Sequence, residues 1–344
     1  MTRREVVKIV LDGGRPPYVP WHCDFTVEAG ARLSECLGTT DLDEAVGNHF
    51  LELGDPIGFV EPLGEGRFRD PFGVVWNRNV DKDIGVVDGV VLAEPTLARY
   101  RFPDPTASYY FHGVAEKIAT RGDRFRVYCI GFSLFERAWT LRGIENLLVD
   151  FVENPGFVDD LFDAICDWNI ELARKALEYD IDAIYFGDDW GQQTGLIMGP
   201  RHWRRFIRPR LARMYDVAKS AGKYQCIHSC GDVRPVLPDL IELGVDCINP
   251  FQPEAMPVRE LLGTYRGRVT FYGGLSTQRT LPYGDVDEVR RKSRELLELG
   301  AGGGLVFAPS HAVVRDTPTG NMLAFLDELR SQPAAAGVVS QGLP

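Results

Sequence analysis

The fold this sequence predicts is an α/β TIM (β/α)8 barrel with insertions, and three observations carry the prediction. Short β-rich runs alternate with longer amphipathic stretches along the 344 residues, which is the pattern of parallel strands joined by crossover helices. Eight such runs can be counted, the number a closed barrel requires. No GxGxxG follows a strand, which weighs against the runner-up, an open doubly wound sheet of the dinucleotide-binding kind.

The second half shows the alternation most clearly. Strands are predicted at residues 181–186, 224–228, 245–249, 269–272 and 304–308. Helices are predicted at 202–221, 233–243, 258–265, 286–299 and 319–329. Pro200 and Pro318 stand near helix starts, and Gly222, Gly244 and Gly300 follow helix ends, the expected punctuation. The first half adds strands at 18–22, 56–60 and 125–131, with a β-rich insertion at about 64–91 after the second. Residues 1–331 thus read as a single barrel domain. The Ala-, Gly- and Pro-rich residues 332–344 read as a loose tail.

Composition narrows the function classes. Hydrophobic residues make up 44% and charged residues 25%, an ordinary globular balance with enough apolar mass for a large core. The 38 basic and 49 acidic residues give a net charge of −11. That excludes a general footprint on nucleic acid or an anionic membrane. No apolar run reaches the length of a membrane span. Residues 1–10 form a charged, helix-like stretch without a signal-peptide core. The 7 cysteines are odd in number and follow no framework spacing, so the expectation is a reducing cytoplasm with individual thiols.

Reacting groups in such barrels lie at the C-terminal ends of strands. His22, Cys23 and Asp24 follow the first predicted strand, and Phe132 and Glu136 the third. Asp188, Asp189 and Trp190 follow the fourth, and His228-Ser229-Cys230-Gly231 the fifth. Asn249, Gln252 and Glu254 follow the sixth, Gln278 the seventh, and Ser310 and His311 the eighth. His228 and Cys230 are the sharpest pair. Alternation along a strand points both side chains the same way, and Zn²⁺ accepts imidazole and thiolate together. His311 is the expected third ligand. The alternative is a buried thiol beside a turn-capping histidine.

Asp188 and Asp189 suit general acid/base work or the binding of a polar substrate; the alternative has one of them capping the next helix and the other solvated. His22, Trp21, Glu136, Trp190, Gln252 and Gln278 are the candidate substrate-binding residues. For Glu136 the alternative is a surface or helix-starting role. Trp21, Phe25, Trp76 and Trp190 could wall a pocket for a planar ligand, and ordinary barrel packing explains them equally well. Cys129, Cys166, Cys226 and Cys247 read as core thiols.

Gly187-Asp188-Asp189-Trp190-Gly191, His228-Ser229-Cys230-Gly231-Asp232, Asn249-Pro250-Phe251-Gln252-Pro253, Tyr272-Gly273-Gly274 and Ala308-Pro309-Ser310-His311 together resemble the uroporphyrinogen decarboxylase superfamily. The likeness runs over nearly all of residues 1–330 and is densest at 181–325. It is nearest to the branch that includes the cobalamin-dependent methyltransferases. The family fold is a TIM barrel. The decarboxylases carry an arginine-rich N-terminal signature that grips the propionates of a tetrapyrrole. Here that region reads Pro16-Pro17-Tyr18-Val19-Pro20-Trp21-His22 with only Arg15 nearby, and one guanidinium forks only one carboxylate well.

The methyltransferase branch holds zinc through His-x-Cys and a distant cysteine near the last strand. His228 and Cys230 match, and His311 stands at the third position. Two thiolates and an imidazole leave Zn²⁺ formally neutral, whereas one thiolate and two imidazoles leave it one positive charge. The latter is the stronger Lewis acid. The resemblance therefore implies a zinc-dependent enzyme that takes a methyl group from an O-methyl or similar small donor to cobalamin, the demethylase direction. Asp188 or Asp189 would handle a proton or orient the donor, and Trp21 and Trp190 would cover it. Gln252 or Glu254 would approach the fourth coordination position. No Asp-x-His-x-x-Gly run is present, so the corrinoid is expected on a separate partner protein. A homodimer is compatible with this class. The alternatives are a metal-free decarboxylase-like lyase and a non-catalytic protein that binds a small ligand.

Overall fold

The computed structural model describes residues 1–54 and 57–333. Among these residues, seven parallel strands pair in chain order: β1 (Phe50–Leu53), β2 (Phe125–Ile130), β3 (Ala183–Gly187), β4 (Tyr224–His228), β5 (Cys247–Phe251), β6 (Thr270–Leu275) and β7 (Leu305–Pro309). The eighth position is filled by backbone rather than by a regular strand. Phe307 N–H donates to Pro20 O at 2.8 Å and His22 N–H to Phe307 O at 3.1 Å, while His49 N–H donates to Trp21 O at 3.0 Å. Residues 20–22 thus sit between β7 and β1 and close a TIM-type barrel, with Trp21 in a parallel bridge to Phe307.

Two expectations from the first half are corrected here. The run at 18–22 makes that single bridge instead of a strand, because Pro20 lacks an N–H for the ladder. The strand placed at 56–60 is absent from residues 57–60, and residues 55 and 56 lie outside the described residues. The strand that pairs with β2 is Phe50–Leu53.

Alternation along each strand divides the core. Phe50, Val127, Cys129, Ala183, Cys226, Cys247, Tyr272, Val306 and Ala308 fill the barrel interior, and the intervening side chains pack under the helices. The helix Arg3–Leu11, opened by a Thr2/Glu5 capping box, closes the N-terminal end. It buries Val7 and Val10, Thr270 Oγ1 donates to Val10 O at 3.0 Å, and Lys8 pairs with Asp182 at 2.7 Å. The helix expected at 202–221 is split by a π turn at Trp203–Ile207. Pro209 accounts for the break, since its ring displaces a carbonyl four residues earlier and it offers no donor.

Between β1 and β2 the chain forms a four-stranded antiparallel sheet, Glu61–Gly64, Arg67–Arg69, Val75–Asn77 and Val86–Val87. A buried carboxylate ties this sheet to the barrel. Asp70 accepts from the N–H groups of Phe72 and Val74 at 3.0 and 2.9 Å, from Trp76 Nε1 at 3.2 Å and from Arg137 Nη1 at 2.6 Å. Gln332 is held by hydrogen bonds to the backbone of Val19, and the rest of the tail, residues 334–344, lies outside the described residues.

Asp70→Ala would strand the Arg137 guanidinium in a buried setting. Breaking such a pair costs about 3–5 kcal/mol. Urea unfolding should show a loss of that order, and limited proteolysis should cut first within residues 61–90.

Candidate active site

The last inward residue of β4 is His228, and strand register decides its neighbours. Gly187 of β3 and Asn249 of β5 stand beside it. The Asn249 amide is oriented by donating to Tyr272 O at 3.1 Å, so its Oδ1 faces His228 Nδ1 at 2.6 Å and the Tyr185 hydroxyl at 2.7 Å. A carbonyl oxygen only accepts, so Nδ1 carries the imidazole proton. Nε2 is thereby turned toward the loop after β4, hydrogen-bonded to Cys230 Sγ at 3.4 Å and 3.5 Å from Asp189 Oδ1.

The turn after β4 is fixed from three sides. Cys230 N–H donates to Asp189 Oδ1 at 2.7 Å, Ser229 Oγ accepts from Trp190 N–H at 3.0 Å, and Gly231 N–H donates to Gln252 Oε1. Gly231 has φ +83°, and a Cβ there would stand 2.5 Å from Gln192 N, so only glycine fits. His311, just past β7, brings its ring to 5.8 Å from that of His228 in an edge-on arrangement. One donor atom from each of His228, Cys230 and His311 lies within 4.8 Å of the others. Burial, then Asp189, pushes the Cys230 thiol up. Burial, then His228, holds the His311 imidazole down and therefore neutral.

Beside this donor set is a cavity of about 470 Å³. Ile57, Phe59, Ile84 and Phe132 give it apolar lining, the inserted region adds Arg78 and Asp83, and Glu136, Asp189, His228 and His311 line the strand-end side. Burial, with Asp189 and Asp188 adding to it, holds the Glu136 carboxyl well above the usual range. A smaller cavity of about 130 Å³ links His228 and His311 to His22, Asp24 and Glu52. Asp24 and Glu52 are about half exposed, 50% and 46%, because with His22 they also line a wider cavity of about 640 Å³ bordered by Lys117 and Arg121. Burial and Asp24 raise Glu52 to about 7. Burial alone would lower His22, yet Asp24 and Glu52 beside it raise it to about 9.

The other residues singled out in the sequence fall elsewhere. Asp188 is buried, and its oxygens accept from the N–H groups of Leu134, Phe135 and Glu136 and from Trp190 Nε1. It therefore caps the helix Phe135–Arg142 and has no free edge for a substrate. Burial still pushes it up to about 6 against those donors. Trp190 packs against Trp203, away from the mouth. Trp21 is sealed in the barrel wall against Tyr18 and His49, its indole donating to Val46 O at 3.1 Å.

Gln252 serves the Gly231 turn. Glu254 pairs with Ser276 and lines a separate cavity with Arg259 and Arg279, so it is not among the converging donors. Gln278 is exposed and lines neither mouth cavity. Tyr185, Glu52 and the orienting role of Asn249 were missed. Inward alternation on β3 could have flagged Tyr185.

A closed parallel barrel with its donors gathered at the C-terminal mouth defines the class: a TIM-barrel protein whose site is built on strand ends. A family model described as uroporphyrinogen decarboxylase (URO-D) matches residues 80–332, and the chain belongs to that family. The methylated-thiol–coenzyme M methyltransferase of Methanosarcina mazei is 23% identical over 202 residues, 58% of this chain. That stretch is 51% of the relative, so the chain spans about half the length of the curated relative it matches. A solved structure of a methyltransferase from Methanosarcina mazei shares the fold, with a TM-score of 0.73 at 18% identity over 96% of this chain and 98% of that one. No described helix is long and apolar enough to cross a membrane.

Asp188→Ala would leave three buried backbone N–H groups without an acceptor. Each such group costs about 1–3 kcal/mol, so equilibrium unfolding should show a loss of roughly 3 kcal/mol or more. Asp188→Asn should recover part of it.

Proposed function

We propose that this protein is a zinc-dependent methyltransferase that removes the methyl group of a small O-methyl or similar donor and delivers it to a corrinoid carried by a partner protein. The observation that carries this reading is the convergence of His228 Nε2, Cys230 Sγ and a His311 ring nitrogen within 4.8 Å. The donor set fits the ion. Asn249 fixes the His228 ring so that Nε2 faces the other donors, burial holds the His311 pKa down, and once Cys230 gives up its proton to the ion, two imidazoles and one thiolate leave a fourth position open. The similarity to methyltransferases supports the reaction class.

When bound, the ion supplies Lewis-acid polarisation of the donor's heteroatom, strengthened by the single positive charge this ligand set leaves on it. The chain's own residues supply the rest. Ile57, Phe59, Ile84 and Phe132 receive the donor's hydrocarbon part and exclude water. Glu136, held in its protonated form on the polar wall of the same cavity, gives its proton to the leaving oxygen as the carbon–oxygen bond breaks. Asp189 holds the Cys230 N–H and keeps the thiol aimed inward. A cavity of about 470 Å³ suits a small donor and cannot enclose a corrin ring, so the methyl acceptor approaches from outside the mouth.

Zinc quantification and methyl transfer to free reduced cobalamin test this together. Wild type should retain zinc, and His311→Ala and Cys230→Ser should lose it, with transfer falling roughly 10²–10³-fold as expected when an electrostatic stabiliser is removed. Zinc content unchanged in His311→Ala would remove the third ligand. Wild type that holds no zinc after reconstitution would favour a metal-free lyase.

A further inference from the structure

One cluster at the mouth is not used by that chemistry. His22 Nε2 stands 3.3 Å from Asp24 Oδ1 and 3.6 Å from Glu52 Oε1, and one donor atom from each residue lies within 4.8 Å of the others. His22 is 3% exposed, and neither of its ring nitrogens has a hydrogen-bond partner. Nε2 is aimed between the two carboxylates without bonding well to either. Among the described residues, neither Asp24 nor Glu52 pairs with a lysine or arginine.

The geometry separates two ways of balancing this charge. A proton shared between imidazole and carboxylate draws the heavy atoms to about 2.7–2.9 Å in a straight line. A cation with ligand bonds of about 2.0–2.2 Å holds its donors 3 Å or more from one another. The splayed contacts at 3.3 and 3.6 Å belong to the second pattern. A divalent ion displaces the imidazole proton, and the two ionised carboxylates with a neutral imidazole then supply the two negative charges that balance it.

We propose that His22, Asp24 and Glu52 form a second divalent-cation site, separate in donor chemistry from His228, Cys230 and His311. With two oxygens, one nitrogen and no sulfur, its donors suit Mn²⁺ or Fe²⁺. The site is built on the frame of the barrel. Glu52 lies two residues after Phe50, whose ring fills the interior, so alternation along β1 turns Glu52 inward too. His22 is held by the hydrogen bond that closes the barrel against Phe307. Three protein donors leave coordination positions open to the cavity of about 130 Å³ shared with His228 and His311.

The test is a Mn²⁺ titration of the zinc-loaded full chain, with free Mn²⁺ read by its electron paramagnetic resonance signal. Wild type should take up one Mn²⁺ per chain. Asp24→Asn and Glu52→Gln should each weaken uptake at least about tenfold while zinc content stays unchanged, which also shows the mouth still folded. A His311→Ala/Cys230→Ser chain should still bind Mn²⁺, so failure of the zinc reading and failure of this one are told apart. Wild type that takes up no Mn²⁺ in stoichiometric excess would overturn the proposal, and so would Asp24→Asn and Glu52→Gln chains that bind it as tightly as wild type.

Discussion

Parallel pairing of β3, β4 and β5 in one register sets Gly187, His228 and Asn249 side by side, and the chemistry of the mouth follows from that alignment. A slip of one residue would turn Ile227 and Ile248 into the mouth and His228 into the helix layer, because strand side chains alternate with a period of two. With the register kept, the Asn249 amide can reach Tyr272 O on one side and His228 Nδ1 on the other. A neutral side chain thereby fixes the ring orientation and which imidazole nitrogen faces Cys230.

The two adjacent aspartates after β3 show how one strand end serves two layers. Asp188 turns outward and saturates the N-terminus of the helix Phe135–Arg142. Asp189 turns toward the mouth and takes the Cys230 N–H. Their environments differ accordingly: Asp188 is buried among fixed donors, and Asp189 faces His228. Sequence alone presents them as equivalent, because side-chain direction at a strand end depends on where the strand stops.

What the sequence made legible follows the same logic. The strands of the second half are apolar runs bounded by glycine and proline, so β3 to β7 were recognisable, and His228, Cys230 and His311 could be expected to meet. The first half was harder. Phe50–Leu53 is only four residues long, interrupted by Glu52 and followed closely by the apolar residues Ile57, Phe59 and Val60, so the strand was placed too late in the chain. That error hid Glu52, an inward carboxylate on a barrel strand. Trp21 and Trp190 misled for another reason. An indole at a strand end reads as a pocket wall, but in both cases its N–H finds a partner inside the packed shell, Val46 O and Asp188 respectively, which lets the ring be buried entirely.

The inserted sheet and the donor set share one line of support. Asp70 anchors the sheet to Arg137, which lies on the helix Phe135–Arg142. That helix starts on Asp188, and the next residue, Asp189, positions Cys230. Glu136 sits in the first turn of the same helix, so its carboxyl is placed by the element that also fixes the roof. Each link is a carboxylate satisfied by a guanidinium or by backbone N–H groups, and such contacts tolerate little displacement. The inserted region and the strand ends are therefore held at a common distance. The cavity between them owes its width to these carboxylate contacts, and the side chains that line it decide what it admits.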